Sequence, residues 1–473
     1  MEKQQTKYSL NKRLPLFKII FTLIYILLSL HNNNAQNKPF LSLEQAVDLA
    51  LEHNNEIKNK RLDIEAQKYA VKSIIAAGLP QINASSSLTH NVEIPSAVFP
   101  DFITPSIYNV LIDEGLLSNS QFKPGAGGQA VQFGAPSQIV GTINLNQLVF
   151  DGRYFLGLKA AKEVVQMTKL LAIQTELEVK EQTMKNYFRV LLLEKNLTLL
   201  KKSKNLVSNL YDQTSAMYVE GMTEKLDVDR LLLSKNNIEN QIRTIIAERI
   251  VARMYLNLIL GQKIDEKYEL TSSMENTGFT SPASNLFDQK DRIERKILDQ
   301  SILLNEMEIK GLKVTRYPSI YLNAQHLQNS FANNKPFEGL GKDWFPGSLY
   351  TLSLNVPLFD GFNKRNDIQK LKIKSEQLDN QQQYLENSLN MQYESAIMEL
   401  TTQRESLVFL ESTVNLTKKI FETERTKFEE GLGSSFELVN AQNEFVSASI
   451  QLSNGQYNFI TKYIDYKKSI GKL

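Results

Sequence analysis

The side chains best able to do chemistry are few. Four histidines, His31, His53, His90 and His326, are the only imidazoles in 473 residues, and no cysteine occurs. A metal centre needs two or more ligands at close spacing, and nucleophilic catalysis needs a nucleophile within reach of a base. These histidines are scattered without ligand spacing, and neither a phosphate-cradling glycine loop nor a nucleophile motif appears. His90 and His326 fall at or near segments of strand-like alternation, where a polar residue facing water accounts for each. The missing cysteines exclude disulfides, thiolate catalysis, zinc–thiolate sites and a lipid-modified N-terminal cysteine. The inventory therefore points to a protein that is not an enzyme, needs no cofactor, and works through its architecture.

The N-terminus reads as an export signal. Lys3, Lys7, Lys12 and Arg13 precede an apolar run from about Leu14 to Leu30, with a plausible cleavage site after Ala35. The alternative is an uncleaved anchor, since the run is about as long as a short spanning helix. Removing residues 1–35 takes away five basic side chains and one acidic one, moving the net charge from +2 to −2. Nucleic acid is not the implied partner. After residue 30 no apolar run approaches the ~18 residues of a membrane helix, so any membrane insertion must use strands.

Proline divides what remains. None lies between Pro136 and Pro282 or after Pro357, and both stretches are filled with helix formers, so two very long helical regions are predicted. A helix from about Gly152 to Tyr218 would run roughly 100 Å at ~1.5 Å per residue. Two apolar stripes mark it, one of Leu170, Ile173, Leu177, Met184, Tyr187 and Leu191, the other of Val179, Val190, Leu193, Leu197 and Leu200. Two seams suit a helix with neighbours on both sides, as in a ring of helices, although a two-helix rod fits this segment nearly as well.

The strands decide between these. Ile139, Gly141, Ile143 and Leu145 alternate with Val140, Thr142, Asn144 and Asn146, and Tyr350, Leu352, Leu354 and Val356 alternate with Thr351, Ser353 and Asn355. Two further strands, 82–88 and 320–325, follow Pro80 and Pro318. The order helix, strand, loop, strand, long helix, turn, helix then occurs twice. Val149-Phe150-Asp151-Gly152 matches Leu358-Phe359-Asp360-Gly361. Tyr218-Val219-Glu220-Gly221-Met222 matches Phe428-Glu429-Glu430-Gly431-Leu432, and Gly261 matches Gly471. The last two pairs share a spacing of 210 residues, which identifies a duplication. The chain divides into a signal over 1–35, a first repeat over 36–261, a linker over 262–285 and a second repeat over 286–473.

The strand-to-strand loops, about 91–137 and 328–347, carry Phe99, Phe102, Tyr108, Phe122, Phe331, Phe337, Trp344 and Phe345. These could form the aromatic girdle of a barrel or pack their own loops. Four strands cannot close a membrane barrel, and an open edge is intolerable in lipid, so several chains must share one.

The repeated order, Leu358-Phe359-Asp360-Gly361 and the two glycine turns together resemble the TolC-like outer-membrane efflux protein family over essentially the whole mature chain. That resemblance implies an α+β membrane protein. Its homotrimer would close a twelve-stranded β-barrel, four strands per protomer, continued by a long periplasmic α-helical barrel. It also implies a passive conduit of an efflux or type I secretion system, in the cell outer membrane and reaching into the periplasm. Its partners would be outer-membrane lipid, a periplasmic adaptor and an inner-membrane pump. By the same resemblance, Gly221, Met222, Gly431 and Leu432 would form adaptor-docking turns. Asp227 and Glu437 would be acidic residues at the periplasmic tip facing the pore, where carboxylate rings favour cations. Two positions depart from the family's best-known pattern: Asn440 stands at a second acidic position, and Gly433 replaces a basic gate residue. Asp151, Gly152, Asp360 and Gly361 mark the strand-to-helix junctions.

The competing reading is an exported coiled-coil scaffold or an adaptor subunit, which would normally carry one helical hairpin flanked by β-rich domains. Fractionation separates the two. A barrel protein is expected to stay in the membrane pellet after carbonate or high-salt extraction, and release into the supernatant would favour the soluble rod.

Overall fold

The computed structural model describes residues 40–99, 103–121, 129–132, 134–274, 287–332 and 337–473. The export segment with its cleavage site, Phe102 and Phe122, and residues 275–285 of the linker lie outside them. In chain order the elements are β1 (Phe40–Leu41), α1 (Leu43–His53), α2 (Asn55–Ala77), β2 (Gln81–His90), β3 (Ser96–Phe99), α3 (Ile103–Asp113), β4 (Gln129–Gln132) and β5 (Ser137–Phe150). Then come α4 (Gly152–Val219), α5 (Lys225–Ile259), β6 (Glu269–Leu270), α6 (Ile293–Val314), β7 (Ser319–Ala332), β8 (Phe345–Asn355), α7 (Asn363–Glu429) and α8 (Ser435–Ser469). The two long helices have 68 and 67 residues, and the two that follow them have 35 each. The long helices of the two halves therefore match almost residue for residue in length.

Two compact units each draw on both repeats. One takes residues up to Leu62, Leu170–Lys296 and Gln383–Leu473, and the other takes Asp63–Lys169 and Ile297–Gln382.

The second unit contains a four-stranded antiparallel sheet in the order β2-β5-β7-β8. Each predicted strand is present and longer than its alternating core. The two repeats join at β5 and β7, where Leu145 faces Ala324 and Asn144 faces Gln325. Because side chains alternate along a strand, the register sorts them into two faces. One carries Ile82, Ile143, Leu145, Ala324, Tyr350 and Leu352. The other carries Asn83, Asn144, Gln325, Thr351 and Ser353, with Gln325 Nε2 donating to Asn144 Oδ1 at 2.9 Å. The outer edges of β2 and β8 pair with nothing among the described residues. His90 and His326 lie on the apolar face, contrary to the expectation of a polar, water-facing position, because both fall on even-numbered positions of their strands, in step with Ile82 and Ala324.

The first unit is helical. Of the two stripes on α4, the second is buried throughout, whereas the first stays half-exposed or exposed apart from Tyr187. Tyr187 sits in the main core, its hydroxyl donating to the Leu41 carbonyl at 2.8 Å and accepting from the Ser272 amide at 3.2 Å. This pins the parallel pair β1 and β6, which ties the linker to the helical unit at Glu269–Ser272. Tyr268 is buried there, and burial pushes its phenol up to about 12. Three further features were not legible as periodicity. The β3–β4 hairpin and α3 occupy the first loop, and Asn54 splits the first helix. Its side chain donates to Ile259 O at 2.8 Å and accepts from the Glu56 amide at 2.8 Å, ending α1 and starting α2.

Charges tie α4 to α8. Glu181 accepts from Lys185 at 2.6 Å and Lys468 at 2.7 Å, and Lys185 also reaches Asp465 at 2.5 Å. Burial opposes ionisation of Glu181, and the two lysine hydrogen bonds outweigh it, holding the carboxyl below the usual carboxylate range. A depressed carboxylate contributes stability above its unfolded value near ~4.3, and the contribution is lost as pH falls through the folded value. Glu181→Gln is expected to cost about 1–3 kcal/mol near neutral pH. Thermal unfolding over an acid pH series should also show a shallower acid-side decline than the parent; an unchanged decline would exclude Glu181 as a source of acid sensitivity.

Candidate functional site

The two glycine turns are built alike. Gly221 and Gly431 both have φ +74°, in the left-handed region that side chains avoid. The Gly221 amide donates to Tyr218 O at 3.0 Å and the Met222 amide to Met217 O at 2.8 Å; in the second turn Gly431 donates to Phe428 O at 3.1 Å and Leu432 to Lys427 O at 2.8 Å. This six-to-one and five-to-two pairing is the Schellman termination of a helix, and it satisfies carbonyls that the helix end would otherwise orphan. It leaves Met222 71 % and Leu432 78 % exposed, two apolar side chains at matched places.

Both acidic residues occupy the third position of the helix that follows. Ser434 caps α8, its hydroxyl accepting from the Glu437 amide at 3.2 Å, and Glu437 Oε2 accepts from the Ser434 amide at 3.4 Å, a complete capping box. Asp227 accepts from the Thr223 hydroxyl at 3.1 Å and lies 3.8 Å from Arg230 Nη1. A negative charge in a helix's first turn is favoured by the macrodipole, so each carboxylate has a local reason to be there besides any role in permeation.

The structure groups these residues unevenly. A groove of about 540 Å³ between α5 and α8 is lined by Asp227, Arg230, Phe436 and Asn440, among others, while Glu437 lies outside that lining. Arg230 stacks on Phe436, its guanidinium carbon 4.6 Å from the ring centroid, while also facing Asp227. The basic residue of this groove follows the first turn, and its signal in the sequence is the spacing of three from Asp227, one helical turn on the same face. Gly433 has a packing reason to lack a side chain. A Cβ there would come 3.1 Å from both Lys427 Cβ and the Phe428 amide nitrogen. Beside it, the Glu424 carboxylate raises the Lys427 ammonium, with Glu437 adding a smaller effect.

The strand-to-helix junctions are helix caps. Asp151 Oδ1 accepts from the Arg153 amide at 2.8 Å, and the Arg153 side chain returns to Asp151 Oδ2 at 2.9 Å. These hydrogen bonds hold the Asp151 carboxyl below the usual range. Asp360 Oδ2 accepts from the Lys364 amide at 3.1 Å. The glycines differ: Gly361 takes φ +64°, whereas a Cβ on Gly152 would collide with Val314. Among the described residues no cluster of three or more His, Asp or Glu could hold a metal, and no helix is long and apolar enough to cross a membrane.

Residues 307–472 match the family model described as outer membrane efflux protein. Among solved structures, the outer membrane protein VceC of Vibrio cholerae superimposes with a TM-score of 0.66 at 13% identity, covering 91% of this chain and 96% of that one. The Campylobacter jejuni CmeC outer membrane channel gives 0.67 at 14% identity, covering 91% and 85%. The open state of the Neisseria gonorrhoeae MtrE outer membrane channel gives 0.68 at 15% identity, covering 91% and 88%. The chain thus has the fold of these channels. No curated protein sequence matches it.

Ser434→Ala removes the hydroxyl half of the α8 capping box and is expected to cost about 1 kcal/mol of helix stability. Amide hydrogen exchange over the first turn of α8 measures it. Protection equal to the parent's would mean that Glu437 alone caps the helix.

Proposed function

We propose that this chain is one protomer of an outer-membrane efflux channel, a passive conduit that opens to the cell exterior and extends into the periplasm. The observation that carries this reading is the four-stranded sheet. Tyr350 is 81 % and Leu352 70 % exposed on one face, the opposite face is mostly polar, and both edges lack a partner among the described residues. In water such a sheet would invite aggregation; in lipid its apolar face is solvated but its edges are not. Closing the sheet with copies of itself satisfies the edges and turns the polar face into a water-filled lumen. Three copies give twelve strands, matching the size expected from the family resemblance.

The half-exposed stripe on α4 suits contact with a neighbouring copy, and the two repeats over 36–261 and 286–473 would then each supply half of a protomer's wall. The adaptor would dock at the turns of Gly221–Met222 and Gly431–Leu432, whose exposed apolar side chains offer contact area on a rigid hydrogen-bonded turn. Asp227 and Glu437, with Asn440, would line the tip. Arg230 bound between Asp227 and Phe436 places a cation in the groove between α5 and α8, so a closed tip would be held by this stack as well as by packing. Such a protein moves solutes and breaks no bond.

Native mass spectrometry of detergent-solubilised protein should give a trimer, and a stable monomer would overturn the shared barrel. In planar bilayers, Asp227→Asn with Glu437→Gln is expected to reduce cation selectivity without dissociating the trimer. An unchanged reversal potential under a salt gradient would remove these residues from the constriction. Phe436→Ala, which deletes the ring under Arg230, is expected to raise resting conductance. Packed aromatics cost about 3–5 kcal/mol when truncated in cores, and less at this partly exposed position. A thermal-unfolding control on the same trimers separates loosening from unfolding.

A further inference from the structure

The apolar face of the sheet is interrupted by polar side chains. Moving along the rows from the helix-side end, Ile320 with Leu354, Leu322 with Leu352, and Ile82 with Leu145, Ala324 and Tyr350 are apolar or aromatic, with Gln147 beside Leu322 as a polar member. The next row is Ala84, Ile143, His326 and Ser348, and the one after it Ser86, Gly141, Gln328 and Pro346. The row beyond holds Leu88, Ile139 and Ser330, so the polar inset has apolar neighbours on its helix side and on β2 and β5, and continues along β7. His326 pairs with Ser348 and Gln328 with Pro346, so both lie within three residues, ~10 Å, of the loop-side end of β8. In a barrel with its long loops outside, that end of the strand is the one nearest the outer headgroups.

The inset is shaped and pre-oriented. A notch of about 600 Å³ is lined by Ala84, Gly141, Ile143, His326, Gln328 and Trp344, among others. A Cβ on Gly141 would meet nothing within 4 Å, so the missing side chain leaves the floor open. His326 is held on both ring nitrogens, with Nδ1 2.8 Å from Ser348 Oγ and Nε2 3.3 Å from Gln328 Nε2. Trp344, 45 % exposed, already donates its indole N–H to Gly341 O at 3.1 Å, so what it presents outward is the ring. No Lys, Arg, Asp or Glu lines the notch. A phosphate headgroup would find no fixed positive charge there. A neutral sugar would find an aromatic plane for its C–H face, hydrogen-bonding groups for its hydroxyls, and an apolar track below for attached acyl chains.

We propose that this notch seats the sugar headgroup of an outer-leaflet glycolipid, with Trp344 against the pyranose ring, the Gln328 amide on its hydroxyls and held in place by His326, and the acyl chains along Tyr350, Leu352 and Leu354. The inference rests on the reading of the sheet as a lipid-facing barrel wall.

The test is native mass spectrometry of the detergent-released trimer incubated separately with monoglucosyl diacylglycerol, lipid A and phosphatidylglycerol. The two sugar-bearing lipids should remain bound at collision energies that strip phosphatidylglycerol. Trp344→Ala should lower glycolipid occupancy by about tenfold, which corresponds to roughly 1.4 kcal/mol. His326→Leu combined with Gln328→Leu should do the same, and because it makes a lipid-facing row more apolar, the barrel is expected to tolerate it. Retention of phosphatidylglycerol as firm as that of the glycolipids would overturn the assignment, as would undiminished glycolipid occupancy in both variants. Binding of lipid A without the neutral glycolipid would mean phosphate recognition and would overturn it too. Bilayer conductance of the same preparation separates the two ideas: conducting trimers without glycolipid selectivity sink this inference alone, whereas a chain that forms no conducting trimer sinks both.

Discussion

An unpaired peptide group in hydrocarbon costs several kcal/mol, and that penalty governs the sheet. The ten residues of β2 and the eleven of β8 each present an outward row of amides and carbonyls with no strand partner among the described residues. No local rearrangement removes them, because β2 and β8 are already paired on their inner sides and four strands are too few to curl shut. A sheet in this condition is half of an interaction. The pairing of β5 with β7 matters for the same reason: it makes one wide sheet from two hairpins, so a single chain has two free edges and not four.

The helices are governed by their ends more than by their middles. Sixty-odd residues of good helix formers specify length but not where the helix starts or stops. Asp151 and Asp360 supply acceptors for the first amides of α4 and α7, and the φ +74° glycines close the same helices with matched hydrogen bonds. The recurring motifs of the sequence therefore coincide with helix termini, the places where a specific side chain or a missing one decides the backbone's path. The carboxylates of the two tips belong to the same group, since Glu437 closes a capping box while standing where a charge could also meet a solute.

Much of this was legible before any coordinates. Alternation at 139–146 and 350–356 assigned the faces of the sheet, proline spacing bounded the helices, and the shared offset of 210 residues located the turns. What stayed hidden depends on contacts between distant segments. Asn54 breaks a helix because it reaches Ile259, β6 pairs with β1 where Tyr187 bonds to Leu41 and Ser272, and Arg230 matters because Phe436 arrives from another helix. The face of His326 was recoverable from parity along β7. Histidine's polarity suggested the water-filled side, and the backbone register overrode it.

The equal lengths of α5 and α8, 35 residues each, constrain how this molecule can change over generations. Thirty-five is five heptads, and each residue added to or lost from an α-helix rotates everything beyond it by ~100°. A single-codon deletion in the middle of α8 would turn Tyr463 and Ile464 out of the core while leaving the Ser434 cap untouched. Gains and losses that keep both ends seated must come in near-whole numbers of turns, such as seven, eleven or eighteen residues, or in compensating pairs on packed neighbours. Single-codon changes in length therefore fall outside the long helices, as in the segments between β2 and β5 or β7 and β8 and in the linker, and the helices diverge by substitution.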